Sequence, residues 1–233
     1  VGFKKFGDPE VLEVMEFPDN EIGSEDIKIK NYASAVNPTD IVSRSGLIKH
    51  FIKDFSLPCV PGMDFAGIVE EVGENVKTGI KVGDSVMGMV MPNGIHGAYS
   101  DRLILNQFAV VKIPKNTSFI EAATLPMNGL TARLSLDLLN LKKGQTIAVT
   151  GGPGAYGGYV IQLAKADGLI VIADSNESDL KLLKDLGADH IIPRGKNFVE
   201  EIRGIFPKGV DGIADGALLN EKAIGAVKDN GSF

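Results

Sequence analysis

Residues Gln145 to Asp174 read QTIAVTGGPGAYGGYVIQLAKADGLIVIAD. Thr146 to Thr150 is a short apolar run of strand length, and Gly151 to Gly158 is a glycine-rich turn. Tyr159 to Ala166 has helical apolar spacing, and Leu169 to Ala173 is a second apolar strand closed by Asp174. Within the turn, Gly152, Gly154 and Gly157 form G-x-G-x-x-G, with Ala155 and Tyr156 between the second and third glycines. Such a pattern gains meaning from its position between strand and helix, with an acid about 20 residues on. The first glycine turns the backbone tightly, the second lets a pyrophosphate approach, and the third lets helix and strand pack closely. The helix N-terminus adds N–H donors and positive dipole. The stretch predicts a dinucleotide site. The bland alternative is a glycine turn that binds nothing.

The chain on either side of this stretch has two rhythms. From Gly144 onward strand and helix alternate. Helices are expected over 177–186, ending at Gly187, over Phe198–Phe206 and over Asn220–Lys228; strands are expected over His190–Ile192 and Val210–Ala214. Asn197 with Glu200 has the capping-box spacing for the middle helix. Upstream, Phe119–Ala123 and Leu130–Asn140 have helical spacing, with Leu134, Leu138 and Leu141 near one face. Such alternation implies parallel strands and right-handed crossovers. Residues 1–112 instead carry short strand patterns around Ile27–Val36, Gly67–Val72, Ser85–Val90, Ala98–Leu105 and Ala109–Ile113. Gly and Pro turns separate them, which favours a barrel or sandwich. The expected organisation is a β-rich domain over 1–112 and an α/β doubly wound domain over 113–233.

Composition narrows the function. The chain has 233 residues, 44% hydrophobic and 23% charged, with a net charge of −6. That balance argues against nucleic acid or an anionic membrane surface as a main partner. No apolar run approaches the ~18 residues of a membrane span. The single cysteine, Cys59, rules out an intrachain disulfide framework and a multi-cysteine zinc site. Such cysteine usage fits a reducing cytoplasm. Val1 falls partway along a strand pattern and Phe233 at the start of another, so the sequence reads as part of a longer chain, cut short within the second domain.

The string NPTD, PGMDFAG, VGDSVMG, GAYSD, LPMNGLTA and VTGGPGAYGGYVIQLAK resembles the medium-chain dehydrogenase/reductase superfamily. More narrowly it is similar to the zinc-free quinone oxidoreductase branch, relatives of zeta-crystallin. The resemblance covers essentially the whole chain and implies a GroES-like barrel followed by a Rossmann domain, with a substrate reduced in the cleft between them. It also implies a homodimer formed through strands beyond Phe233. Zinc-dependent members carry Cys at the position of Asn37 and a His-Glu pair at Met63-Asp64. Here only Asp64 and Asp40 remain as plausible donors, and catalytic zinc needs three protein ligands around an open position. The expectation is no zinc. Lacking that Lewis acid, reduction of an electron-poor quinone or enone is favoured over alcohol oxidation.

Candidate site residues follow, each with a structural alternative. Asn37 sits at a strand end, and the resemblance implies a hydrogen bond near nicotinamide and substrate; otherwise it caps an Asn-Pro turn. Asp40 and Arg44, at i and i+4, orient a carbonyl substrate or form a local pair, the pair being favoured. Val42 stands where relatives often carry Tyr, which leaves the proton donor unidentified. Thr131, with Asn128 nearby, matches a nicotinamide or phosphate contact, or is a helix Thr bonding its own backbone. Asp174 would accept from both ribose hydroxyls of NAD and repel the 2′-phosphate of NADP. The resemblance pulls towards NADPH, and Ser175, Asn176 and Lys181 supply donors for a phosphate, so NADPH is expected over NADH. Ala217 and Leu218 would lie beside the adenosine or the nicotinamide riboside. Cys59 reads as a small buried hydrophobe, His96 as a loop residue.

The expected function is reduction of a quinone or α,β-unsaturated carbonyl by NAD(P)H without zinc. A non-catalytic NAD(P)-binding protein and a zinc-free enoyl-thioester reductase are the alternatives.

Overall fold

The computed structural model describes residues 1–18, 20–51 and 55–233. The chain divides into two compact units, Val1–Met127 and Asn128–Phe233. The boundary falls later than the expected 112/113 because the segment after Pro114 packs back on the first unit. Ala122 and Ala123 bury against Ala66, with Ile113 and Phe119 alongside.

The first unit is a five-stranded antiparallel sheet in the order β4-β1-β2-β3-β5. Its strands are β1 (Asp26–Ala33), β2 (Asp64–Val72), β3 (Ser85–Met89), β4 (Arg102–Asn106) and β5 (Val110–Lys112). In β1, Ile27 and Ile29 alternate inward with polar neighbours, the period-2 pattern of a strand with one buried face. They join Phe65, Val69, Val86, Leu103 and Leu105 in the core. Register shifts between Lys28/Ile29 and Asn31/Ala33 in the β1–β2 pair bend the sheet as bulges do. Helix α1 (Pro38–Ser45) starts straight after the Asn37-Pro38 step, with Pro at the one helical position where its missing N–H costs nothing. The expected strand ends at Ala33 instead of Val36. The expected strand over Ala98–Leu105 begins only at Arg102, because Ala98 and Tyr99 donate backbone N–H groups to Gly62 and Pro61. Helix α2 (Phe119–Ala122) is closed by a Ser118/Glu121 capping box.

The second unit is a five-stranded parallel sheet in the order β10-β9-β6-β7-β8. Helix α3 (Pro126–Leu139) leads into it. The remaining elements are β6 (Thr146–Thr150), α4 (Ala155–Ala166), β7 (Ile170–Ser175), α5 (Leu180–Leu186), β8 (His190–Pro193), α6 (Phe198–Ile205), β9 (Val210–Asp215), α7 (Glu221–Ile224) and β10 (Val227–Ser232). Every residue of β6 is buried. Ile147 and Val149 join one core cluster and Ala148 the other, the two-sided burial expected of a parallel sheet. Gly187 closes α5 at φ 99°, as its C′ position requires.

Four local expectations are corrected. Helix α3 buries Ala132, Leu136 and Leu139, while Leu134 and Leu138 face outward. Helix α4 begins at Ala155, inside the glycine motif. Asn197 has φ −96° and ψ 24° and makes no side-chain cap; Glu201 N–H donates to its carbonyl instead. The expected helix over 220–228 shortens to α7, and Val227–Ser232 is a strand. Tertiary contacts override the helical pattern there. Arg203 donates to the carbonyls of Gly225, Pro207 and Val227, Val210 N–H donates to Ala226 O, and Lys228 pairs with Asp211. Among the described residues no helix is long and apolar enough to cross a membrane.

Candidate cofactor site and buried carboxylate cluster

In the second unit the chain leaves β6 through Gly151, at φ 67°, a left-handed conformation suited to glycine. Gly154 is the N-cap of α4, with φ −70° and ψ 163°. The N–H groups of Ala155, Tyr156 and Gly157 belong to the first helical turn, where no intrahelical acceptor exists; Gly158 N–H bonds back to Gly154 O at 2.8 Å. A Cβ on Gly157 would come within 2.4 Å of Gly151 O and 2.9 Å of Gly152 Cα. A Cβ on Gly154 would lie 3.1 Å from Gly151 O. The turn therefore has no room for a side chain at Gly157 and is tight at Gly154. Its bare backbone and first-turn donors are the chemistry a pyrophosphate needs. These residues fit a dinucleotide.

Tyr156 and Ala155 differ in role. Ala155 is exposed at the helix start. The Tyr156 hydroxyl donates to Ser135 on α3 at 2.9 Å, and its ring closes over Gly216, where a Cβ would meet Cδ1 at 2.8 Å. Thr150 anchors the neighbouring strand end: its hydroxyl bonds Asp215 and accepts from Ala217 N–H at 3.0 Å. Leu218, next in sequence, is exposed at φ 56°. Thr131 lies on α3, exposed, with its carbonyl accepting from Ser135, and Asn128 is half-buried one turn earlier.

Asp174 is only 3% exposed. One carboxylate oxygen accepts from Gly151 N–H at 2.6 Å and Gly152 N–H at 3.2 Å. The other accepts from Arg194 Nε at 3.1 Å. The acid is thus occupied by the glycine turn and a guanidinium. Ser175 is buried, its hydroxyl donating to Asn176 O at 2.8 Å; Asn176 is exposed. Lys181 is exposed and pairs with Asp185 at 2.5 Å. Arg194 is the residue that sequence reasoning missed. It lies 20 positions from Asp174 and is brought there by the parallel pairing of Asp174 with Ile192.

In the first unit Asn37, Asp40, Asp64 and Tyr99 form a connected polar cluster. Asn37 Nδ2 donates to Asp64 Oδ2 at 2.7 Å, and Met127 N–H donates to Asp64 Oδ1 at 2.6 Å. Asp40 accepts from Asn37 N–H at 2.8 Å, Gly62 N–H at 3.0 Å and Tyr99 Oη at 3.1 Å. Burial raises the Asp64 pKa above the usual carboxylate range, against the opposing hydrogen bonds from Asn37 and Met127. Burial also raises the Tyr99 phenol, reinforced by Asp40. The favoured Asp40–Arg44 pair does not form. Asp40 turns inward to the three donors above, and Arg44 donates to Gly7 O. Asn37, Asp40 and Asp64 are brought together; Arg44 is not part of the group. The signal for this cluster in sequence was the pair of motifs NPTD and PGMDFAG, although nothing in them fixes which side chains meet.

At the position of the implied zinc, Met63 sulfur accepts from Thr39 Oγ1 at 3.3 Å, and both Asp64 oxygens are taken by N–H donors. Among the described residues no group of three His, Cys, Asp or Glu side chains is arranged to hold a metal ion. An amide, a thioether and an engaged carboxylate do not fit zinc.

An antiparallel β-rich unit followed by a parallel sheet with a glycine-rich first crossover defines a nucleotide-dependent dehydrogenase/reductase architecture. Residues 23–115 match the alcohol dehydrogenase GroES-like domain, and residues 155–233 match the family described as zinc-binding dehydrogenase. The chain is similar to a tomato 2-methylene-furan-3-one reductase, 37% identical over 99% of this chain and 60% of the relative. It is also similar to the chloroplastic NADPH-dependent alkenal/one oxidoreductase of Arabidopsis thaliana, 34% identical over 91% of this chain and 55% of the relative. The solved quinone oxidoreductase of Pseudomonas syringae pv. Tomato superposes with a TM-score of 0.84 at 30% identity, over 97% of this chain and 69% of that one. The chain belongs to the medium-chain dehydrogenase/reductase superfamily and is quinone oxidoreductase-like. It spans 55–60% of the length of these two curated relatives.

Proposed function

We propose that the chain is part of a zinc-independent, NADPH-dependent reductase of quinones or α,β-unsaturated carbonyl compounds. The observation that carries this reading is the glycine turn, whose backbone has no room for a side chain at Gly157 and leaves the first N–H groups of α4 for a pyrophosphate. Relatives whose names specify an alkenal/one oxidoreductase and a furanone reductase support the acceptor class. A bound nicotinamide supplies the hydride. The protein contributes binding and orientation. Ala155, Tyr156 and Gly157 hold phosphate through backbone donors, and Asn128, Thr131, Ala217 and Leu218 contact the rest of the cofactor. Asn37, fixed by Asp64, steadies charge developing on the acceptor oxygen, and Asp40 fixes the backbone on which Asn37 sits.

NADPH is favoured over NADH because Asp174, the carboxylate that would select for free ribose hydroxyls, is occupied within the protein. The residue types at Asn37, Met63 and Asp64 support a reaction without zinc. A reducing cytoplasm suits the buried Cys59, and a homodimer remains part of the proposal for the longer chain. The test is oxidation of NADPH and of NADH by the full-length protein with a panel of quinones and enones. Consumption of NADPH with one of these acceptors is expected, and no oxidation of either cofactor across the panel sinks the reading.

A further inference from the structure

The pairing of Asp174 with Arg194 changes what the end of β7 presents to a ligand. An acid at the end of the second strand ordinarily meets the adenosine ribose and excludes a 2′-phosphate by charge repulsion. Here that acid has no oxygen without a donor: Gly151 and Gly152 take one, Arg194 Nε the other. Its negative charge is balanced by a guanidinium. The Arg194 side chain is 39% exposed, against 5% for Asp174. Asp174 engages Nε of that guanidinium, and the two terminal amino groups are its further donors. Arg194 is also tied by its backbone to the same strand end, donating its N–H to Ser175 O at 2.8 Å. A half-exposed cation therefore stands at the strand terminus where the ribose of a dinucleotide falls, held in place by the residue that sequence alone reads as its opposite.

We propose that Arg194 is the specificity-determining residue for the 2′-phosphate of NADP(H), and that Asp174 is its positioning partner. Arginine suits the task because its planar fork carries several donors and stays charged throughout the working pH range. One edge binds Asp174, and the remaining donors face the ligand. The nearby donors singled out from sequence are less suited: the Ser175 hydroxyl is turned onto Asn176 O, and the Lys181 ammonium is paired with Asp185. Glu177 and Asp179, in the turn that follows β7, oppose an incoming phosphate, so an unassisted ribose end would not favour it. This inference rests on the reading of the glycine turn as a dinucleotide cradle.

The test is direct binding of two fragments to the full-length protein by calorimetry, 2′,5′-ADP and 5′-AMP, with no turnover required. Tighter binding of 2′,5′-ADP by about ten- to a hundredfold is expected, the range of a charge-assisted contact. Arg194→Gln is expected to remove that preference while leaving 5′-AMP binding in place. Arg194→Lys, which preserves the charge beside Asp174, is expected to retain part of it. Equal binding of both fragments by the unmodified protein overturns the inference and leaves the dinucleotide reading intact. Loss of both fragments alike in Arg194→Gln and in Arg194→Lys makes the residue a prop of the fold and also overturns it. Binding of neither fragment by the unmodified protein overturns the dinucleotide reading, and the inference with it.

Discussion

Gly157 and Gly158 are neighbours in α4, and the structure predicts opposite consequences for the same substitution. A Cβ at Gly157 would meet three backbone atoms: Gly151 O at 2.4 Å, Gly151 C at 2.9 Å and Gly152 Cα at 2.9 Å. Backbone cannot rotate away as a side-chain tip can, so the turn itself must move. Overpacking of this kind costs about 1–3 kcal/mol, and contact with a carbonyl places Gly157→Ala in the upper part of that range. Against this stands the gain of about 1 kcal/mol from replacing glycine by alanine within a helix. The net expectation is a loss of about 1–2 kcal/mol, a fall of roughly 2–8 °C in Tm for a chain of this size. At Gly158 the added Cβ would meet only Leu186 Cδ1, at 3.5 Å, an ordinary contact. Gly158→Ala should therefore gain about 0.5–1 kcal/mol. Urea unfolding of both variants, with NADPH titration alongside, checks the pair. NADPH affinity should fall at least about tenfold in Gly157→Ala, because a turn that moves away from the new Cβ shifts the first-turn N–H groups of Ala155, Tyr156 and Gly157 that face the pyrophosphate. Equal stability changes in the two variants, or unaltered NADPH binding in Gly157→Ala, would refute the reasoning.

Three further outcomes are expected. Burial acts to raise the Asp211 pKa, but hydrogen bonds from Lys228, Thr146 and Gln145 overcome it and hold the carboxyl at about 2. A depressed folded pKa gives stability that is present above the unfolded value near 4 and lost as pH falls towards 2. Allowing for solvent screening the contribution is on the order of 1–2 kcal/mol, and Asp211→Asn should flatten that part of the pH–stability curve. Asp64 has the opposite sign. Its raised pKa means that the folded state binds the proton more readily, so stability falls as pH rises from the unfolded value through the folded one; Asp64→Asn should remove this slope. Burial, with Asp40 adding to it, pushes the Cys59 thiol up to about 12. Native protein at pH 8 should resist alkylation that proceeds readily in urea, as mass spectrometry would show.

The parts of the fold that rest on local chemistry were legible in the sequence. The apolar run of β6, the glycine turn and the run of β7 carry their structure in residue type and spacing. What escaped were features set by neighbours far along the chain. Leu134 and Leu138 have the spacing of a helix face, but periodicity gives the existence of a stripe and not the side on which the sheet lies. The segment Val227–Ser232 has no strong strand pattern; Arg203, Val210 and Asp211 hold it extended beside β9.

The candidate site divides in the same way. The glycine turn was readable because glycine announces bare backbone. The partner of Asp174 was not, because Arg194 belongs to no motif and arrives through the register of β7 with β8. Asp40 and Arg44 were a plausible helical pair by spacing alone. In the fold Asp40 satisfies the buried N–H groups of Asn37 and Gly62 and the Tyr99 hydroxyl, a stronger demand than a surface ion pair worth less than about 1 kcal/mol.

The most direct measurement is a crystal structure of the full-length protein with NADPH bound. The pyrophosphate is expected on the N–H groups of Ala155, Tyr156 and Gly157, with the 2′-phosphate against Arg194 and Asp174 still bonded to Gly151 and Gly152. A pyrophosphate bound away from that turn would contradict the dinucleotide reading on which the proposed activity depends.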